Sequence, residues 1–143
     1  MESLSELERE LVEVATSTVE RWGRSPLHTV AAAALDASGR ILTGMNLYHF
    51  LGGPCAEVTV MAKAASETDH PLVTMVAVGD DERGVIPPCG KCRQVMIDRN
   101  PHMKVIVPTV DGLTVESIAT LLPVNYRRDG MEGSSSREER NDL

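Results

Sequence analysis

All three cysteines of this 143-residue chain fall in two short motifs, each headed by a proline: Pro54-Cys55-Ala56-Glu57 and Pro88-Cys89-Gly90-Lys91-Cys92. Their number is odd and small, which excludes a disulfide framework and predicts a reducing, cytoplasmic setting. A proline suits the first turn of a helix, because the N–H it lacks would have no partner there. Each motif is therefore expected to open a helix. Its thiols would face free backbone N–H groups and the positive end of the helix dipole, which favours the thiolate. Cys89 and Cys92, three apart, share a helix face and can hold one ion, and Cys55 would add a third sulfur from the neighbouring helix. Three protein ligands and one open position is the arrangement of a catalytic zinc, one per chain, which holds a water and acidifies it. Glu57 is not needed as a ligand and is placed to move protons at that water.

The rest of the chain supplies a scaffold. Ser5 and Glu8 form a capping-box pattern, and Leu7, Leu11, Val14, Thr18 and Trp22 recur at helical spacing, so a first helix is expected to end between Arg21 and Pro26. Thr29–Leu35 and Arg40–Met45 flank the turn Asp36-Ala37-Ser38-Gly39 and read as a hairpin. After a loop over 46–53 and a helix from Cys55 to Glu67, Leu72–Val78 is continuous and apolar, as a strand buried on both faces would be. A helix over Cys89–Arg99, strands at Lys104–Val107 and Leu113–Val115, and a helix over Glu116–Leu122 follow. This order predicts an α/β fold, a three-layer α/β/α sandwich around a mixed five-stranded sheet. One domain over 1–128 is expected, followed by a polar, disordered tail over 129–143.

Composition narrows the partners. A net charge of −7 argues against a nucleic-acid backbone, and only Trp22, Tyr48, Phe50 and Tyr126 are aromatic, too few for a stacking platform. No apolar run approaches the roughly 20 residues of a membrane span. The acidic start Met1-Glu2-Ser3 has none of the features of a secretion signal. A small molecule, with neither nucleic acid nor membrane, is the expected partner. Two plainer readings of the cysteines stand beside the catalytic one. They could be small buried hydrophobes, or they could form a closed structural site in which His49 is the fourth ligand. The second leaves Glu57 unexplained. His28, His70 and His102 lie near loops and are expected to face solvent. The uniformly small, apolar stretch Thr59–Ala65 suits either a subunit contact or packing on the sheet.

Cys-x-Glu followed by Pro-Cys-x-x-Cys is the known pattern of zinc deaminases. Asn46-Leu47-Tyr48-His49-Phe50-Leu51-Gly52-Gly53-Pro54-Cys55-Ala56-Glu57 and Pro88-Cys89-Gly90-Lys91-Cys92-Arg93-Gln94-Val95 resemble the cytidine deaminase superfamily. Within it they are most similar to the branch acting on blasticidin S. Glu82-Arg83-Gly84 and Leu121-Leu122-Pro123-Val124-Asn125-Tyr126 extend the likeness over nearly all the expected core. The resemblance implies a homotetramer that converts a cytosine amine to a carbonyl and releases ammonia. Blasticidin S or a related cytosine nucleoside antibiotic would be the substrate, with cytidine or deoxycytidine of pyrimidine salvage as the alternative. Cys55, Cys89 and Cys92 would hold Zn2+. Glu57 would protonate ring N3, take the proton of the attacking water and deliver one to the leaving amine. Arg83 and Tyr126 match substrate-contacting positions, and Thr29 stands where a serine meets the base.

The departures from the pattern concern substrate more than chemistry. Cytidine deaminases carry Asn-x-Glu ahead of the first motif and bind the ribose hydroxyls with both side chains. Asn46 remains here, but Tyr48 replaces the glutamate, so a plain ribose should be held poorly. Val58 stands where an arginine commonly follows the catalytic glutamate. Compensation of the thiolate charge then falls to the helix N-termini with Lys91 or Arg93. Arg128, beside Arg127, replaces a tryptophan of the blasticidin branch.

Overall fold

Leu72–Gly79 forms the middle of the sheet because all but one of its residues are buried, and helices cover it from both sides. A computed structural model describes residues 4–127, so Arg128 and the expected tail over 129–143 lie outside the described residues. In chain order the elements are α1 (Glu6–Trp22), β1 (Val30–Asp36), β2 (Ile41–Met45), α2 (Ala56–Glu67), β3 (Leu72–Gly79), β4 (Gly84–Ile86), α3 (Gly90–Arg99), β5 (Lys104–Thr109), β6 (Gly112–Ser117) and α4 (Ile118–Leu121). No helix among the described residues is long and apolar enough to cross a membrane.

The sheet runs β2-β1-β3-β5-β6. β1 is antiparallel to β2 and β3, β5 is parallel to β3, and β6 returns antiparallel to β5. These are the five expected strands. A sixth, β4, corrects the count: it pairs antiparallel with β3 through Ala77–Ile86, Val78–Val85 and Gly79–Gly84. Val85 and Ile86 are too short an apolar run to stand out as a strand in sequence. β1 fills one edge of β3, and β5 pairs with the other only at Thr74 and Met75, so β4 takes the stretch of that edge beyond β5. It leads straight into Pro87, Pro88 and Cys89.

Alternation along β1 divides the core. Ala31, Ala33 and Leu35 face α1 through Leu11, Ala15 and Val19. Ala32 and Ala34 share the other core with Ala56, Val60 and Met61 of α2, and with Cys92 and Met96 of α3. The result is a three-layer α/β/α sandwich. The capping box is present, with Ser5 Oγ accepting from Glu8 N and Glu8 Oε2 from Ser5 N. The buried face of α1 differs from the stripe expected of it: Leu7 and Trp22 are exposed, and Ala15 and Val19 are buried. A strand surface of alanine methyls admits a helix through its smallest face. Trp22 instead lies under the Arg21 guanidinium, 4.7 Å from the ring centre. α4 starts at Ile118 rather than Glu116, because β6 continues to Ser117 and the Ser117 hydroxyl caps the helix by accepting from Thr120 N at 3.1 Å. Of the stretch Thr59–Ala65, Val60, Met61 and Ala64 pack inward, whereas Ala62, Lys63 and Ala65 are exposed.

Candidate active site and metal centre

Both motif prolines precede the helix cap instead of opening the first turn, and the cysteines themselves are the N-caps. Cys55 has φ −68° and ψ 158°, and Cys89 has φ −69° and ψ 169°, both extended. At the cap a side-chain acceptor can reach a free N–H of the first turn, and Cys89 Sγ accepts from Cys92 N at 3.5 Å. The first turn is fixed by backbone. Leu47 N donates to Pro54 O at 3.0 Å, and a Cβ on Gly53 would run into the Leu47 carbonyl oxygen. The second turn is placed by β4. The two helix starts thereby bring the sulfur atoms of Cys55, Cys89 and Cys92 within 4.8 Å of one another, with Cys55 and Cys89 3.8 Å apart. Two thiolates on a tetrahedral zinc at about 2.3 Å are themselves separated by about 3.8 Å. The donor set and its spacing fit one zinc ion.

Thiol acidity makes the same point. Burial pushes the Cys55 thiol up and pushes Cys92 up strongly, with the Glu57 charge raising Cys92 further. At Cys89 burial also opposes ionisation, but bonds from Cys92 N–H and from the Cys92 and Cys55 thiols outweigh it and lower the pKa. The expected acidification at a helix start therefore holds for Cys89 and not for the other two. Each thiolate in so tight a group resists the next, and a divalent cation relieves that repulsion.

Glu57 lies in the first turn of α2 and is 5% exposed. Burial pushes its carboxyl above the usual carboxylate range, opposed only by its own backbone N–H. It lines a cleft of about 330 Å³ together with Cys55 and Cys89, walled by Val30, Asn46, Tyr48 and Ile86. Two larger hollows, of about 410 and 430 Å³, touch none of the cysteines, so chemistry rather than size identifies the site.

The residues expected to contact substrate lie as follows. Asn46 Oδ1 accepts from Thr29 N at 2.7 Å and Val30 N at 2.9 Å, and its Nδ2 donates to Thr29 Oγ1 at 3.1 Å. Arg83 Nη2 donates to Thr29 O and to Asp80 Oδ1, both at 2.8 Å, with the guanidinium lying over Gly79. Thr29, Asn46 and Arg83 are thus one network bracing the start of β1 beside the cleft. Asn46 alone of the three lines the cleft. Tyr126 is exposed and held through its carbonyl, which accepts from Gln94 Nε2 at 3.0 Å.

His49 lines the cleft but does not join the sulfur group. Its Nδ1 accepts from Leu51 N at 3.0 Å and its ring stacks on Phe50. His28, expected in solvent, is half-buried, with Nδ1 2.8 Å from Asn46 O. That contact ties the loop after β2 to the segment before β1 and has no sequence signal, since the two residues lie 18 positions apart. Val30 and Ile86 wall the cleft without a sequence signal of their own. Both come from strand ends that only the tertiary fold brings to the cysteines.

Residues 5–108 match the family model described as cytidine and deoxycytidylate deaminase zinc-binding region. The chain is 29% identical to the blasticidin-S deaminase of Bacillus cereus over 136 residues, 89% of this chain and 97% of that protein. It is 37% identical to the cytidine deaminase of Halalkalibacterium halodurans over 106 residues, 71% of this chain and 80% of that protein. The crystal structure of the cytidine deaminase from Burkholderia pseudomallei superposes with a TM-score of 0.69 at 28% identity, covering 86% of this chain and all of that one. With a matching sheet, a matching motif region and three sulfur atoms spaced for one ion, the chain belongs to the zinc-dependent cytidine and deoxycytidylate deaminase family.

Proposed function

We propose that this chain hydrolyses the amino group of a cytosine nucleoside, with Glu57 as the proton carrier and blasticidin S or a related antibiotic as the substrate. The observation that carries the chemistry is a buried carboxyl that lines one cleft together with two of three clustered thiols. Zinc, when bound, supplies a Lewis acid that lowers the pKa of a water molecule. Glu57 does the rest of the proton work: it protonates ring N3, accepts the water's proton and returns one to the departing amine. A carboxyl whose pKa is raised by burial suits that exchange, because it holds and releases a proton nearer neutral pH.

The antibiotic is favoured by the long shared segment with the Bacillus cereus enzyme and by Tyr48 in the cleft wall. The higher identity to the Halalkalibacterium halodurans enzyme, over a shorter segment, supports cytidine as the alternative. Asn46 has one amide N–H beyond the one given to Thr29, and we assign it to the sugar. Thr29 and Arg83, which share one hydrogen-bond network with Asn46, and Tyr126, exposed and tied to Gln94 through its carbonyl, are the other residues we assign to substrate binding. Function as a homotetramer is supported by Phe50 and Leu51, 83% and 79% exposed on the loop that lines the cleft. Ammonia release from blasticidin S and from cytidine by the purified, zinc-loaded protein tests the reading. Turnover of the antibiotic well above that of cytidine is expected, and comparable turnover of cytidine overturns the preference. Light scattering should give a mass near four chains, and a monomer at working concentration refutes the assembly.

A further inference from the structure

We propose that Arg93 is a positioning residue for the metal centre, holding the Pro88–Cys89 turn in its zinc-binding shape. Its Nε donates to Pro88 O at 2.8 Å, and its Nη1 donates to Leu121 O at 2.9 Å. Its backbone N donates to Cys89 O at 3.0 Å, which is the first helical bond of α3. One residue therefore grips the carbonyls on both sides of the Cys89 backbone, one with its main chain and one with its side chain. The second guanidinium bond reaches the last residue of α4, where a helix leaves its carbonyls without helical partners. Gln94, the next residue, holds Tyr126 O. Two consecutive residues of α3 thus fasten the segment 121–126 to the metal turn.

Chemistry favours arginine for this task. A planar fork with fixed donors can bond two carbonyls in different directions at once, and a lysine ammonium on a flexible stem holds such a geometry poorly. The fork also fixes a positive charge one residue from Cys92 in sequence and against the peptide that joins Pro88 to Cys89. A zinc with three thiolates carries net negative charge, and Val58 offers nothing to offset it. Lys91 is in the same turn but exposed, and Arg93 is half-buried with its donors committed. Groups that orient metal ligands from outside the coordination sphere typically affect metal affinity by about 10- to 100-fold when replaced.

The inference rests on zinc occupying the three-cysteine site. The test is zinc affinity of the full chain, measured by competition with a chromophoric chelator, for the wild type, Arg93→Lys, Arg93→Gln and Lys91→Gln. Both Arg93 variants should lose about tenfold or more, while Lys91→Gln, which removes one charge from the same turn, stays within about twofold. Wild-type affinity in Arg93→Lys overturns the proposal, because charge alone would then suffice. A loss in Lys91→Gln equal to that in Arg93→Gln overturns it as well. The visible spectrum of the cobalt-substituted protein guards against a folding artefact. In Arg93→Lys, the mildest change, the sulfur-ligand bands should be perturbed while far-ultraviolet circular dichroism stays native, and unchanged bands count against the proposal. A wild-type chain that binds no stoichiometric zinc removes the metal centre itself, an outcome separate from any effect of Arg93.

Discussion

Asp36 and Glu57 are both buried carboxylates, and α2 connects them: Glu57 stands in its first turn, and its C-cap, Thr68, bonds Asp36. Asp36 Oδ1 accepts from the Ser38 hydroxyl at 2.7 Å, Ser38 N at 2.9 Å and Arg40 N at 3.0 Å, and Oδ2 accepts from the Thr68 hydroxyl at 2.7 Å. Those bonds, the Ser38 hydroxyl foremost, hold its pKa far below the usual carboxylate range in spite of burial. At Glu57 burial dominates and the pKa rises. Burial therefore does not set the direction by itself; the donors the chain supplies do. At Asp36 the chain completes its own hydrogen bonds and closes a turn. At Glu57 only its own backbone N–H counters the effect of burial, and the carboxyl stands beside a metal-binding set, which suits it to exchange protons with a bound molecule.

The sharpest break of this comparison is Glu57→Gln, which keeps size and removes the ionisable carboxyl. Deamination should fall by about 10³-fold while zinc stays near one per chain, read by ammonia release and metal analysis. Retained activity would dissolve the functional half of the contrast. Asp36→Asn should do the reverse, leaving turnover of the folded enzyme within about twofold and lowering Tm by roughly 5–10 °C.

The pH dependence separates the two carboxylates by sign. Asp36 has a depressed folded-state pKa, so its stabilisation is complete above the unfolded value of about 4 and is lost as pH falls below it. Asp36→Asn should therefore flatten the acid limb of the stability curve, and an unchanged limb would deny Asp36 that role. Glu57 has a raised pKa, so in the metal-free protein its ionisation costs stability as pH rises past the unfolded value. The smallest effect expected is thus a gain of a few degrees in Tm for metal-free Glu57→Gln at neutral pH. A loss there would show that the carboxylate is better satisfied than its burial implies.

The metal site was legible because its information is local. Cys55, Cys89, Cys92 and Glu57 sit at fixed spacings in helix starts, and a spacing of three on a helix is already a geometry. β3 was legible for a similar reason, since a continuous apolar run has few other uses. What could not be read depends on partners far away in sequence. The buried side of α1 keeps Leu11 of the expected stripe but adds Ala15 and Val19 opposite the alanines of β1, leaving Leu7 and Trp22 exposed. β4 exists because β5 leaves part of the β3 edge open. The amide of Asn46 is largely committed to Thr29 and Val30, a fact held in hydrogen bonds spanning 16 and 17 positions. Residue type announced that Asn46 mattered, but not that much of its bonding capacity is spent inside the chain.

Ala31 through Ala34 form an unbroken run in β1, each fully buried, with helices lying against both faces. Such a strand acts as a shim: the clearance between α1, the sheet and α2 is one methyl group on each side. The height at which α2 presents Glu57 to the cleft is thereby set by residues with no chemistry of their own. Enlarging Ala32 or Ala34 to valine overfills a closed layer, and a catalytic group displaced by about 1 Å can lose on the order of 10² in rate. The alignment tolerance of the reaction is built into the plainest stretch of the chain, and a fault there should appear in turnover before it appears in folding.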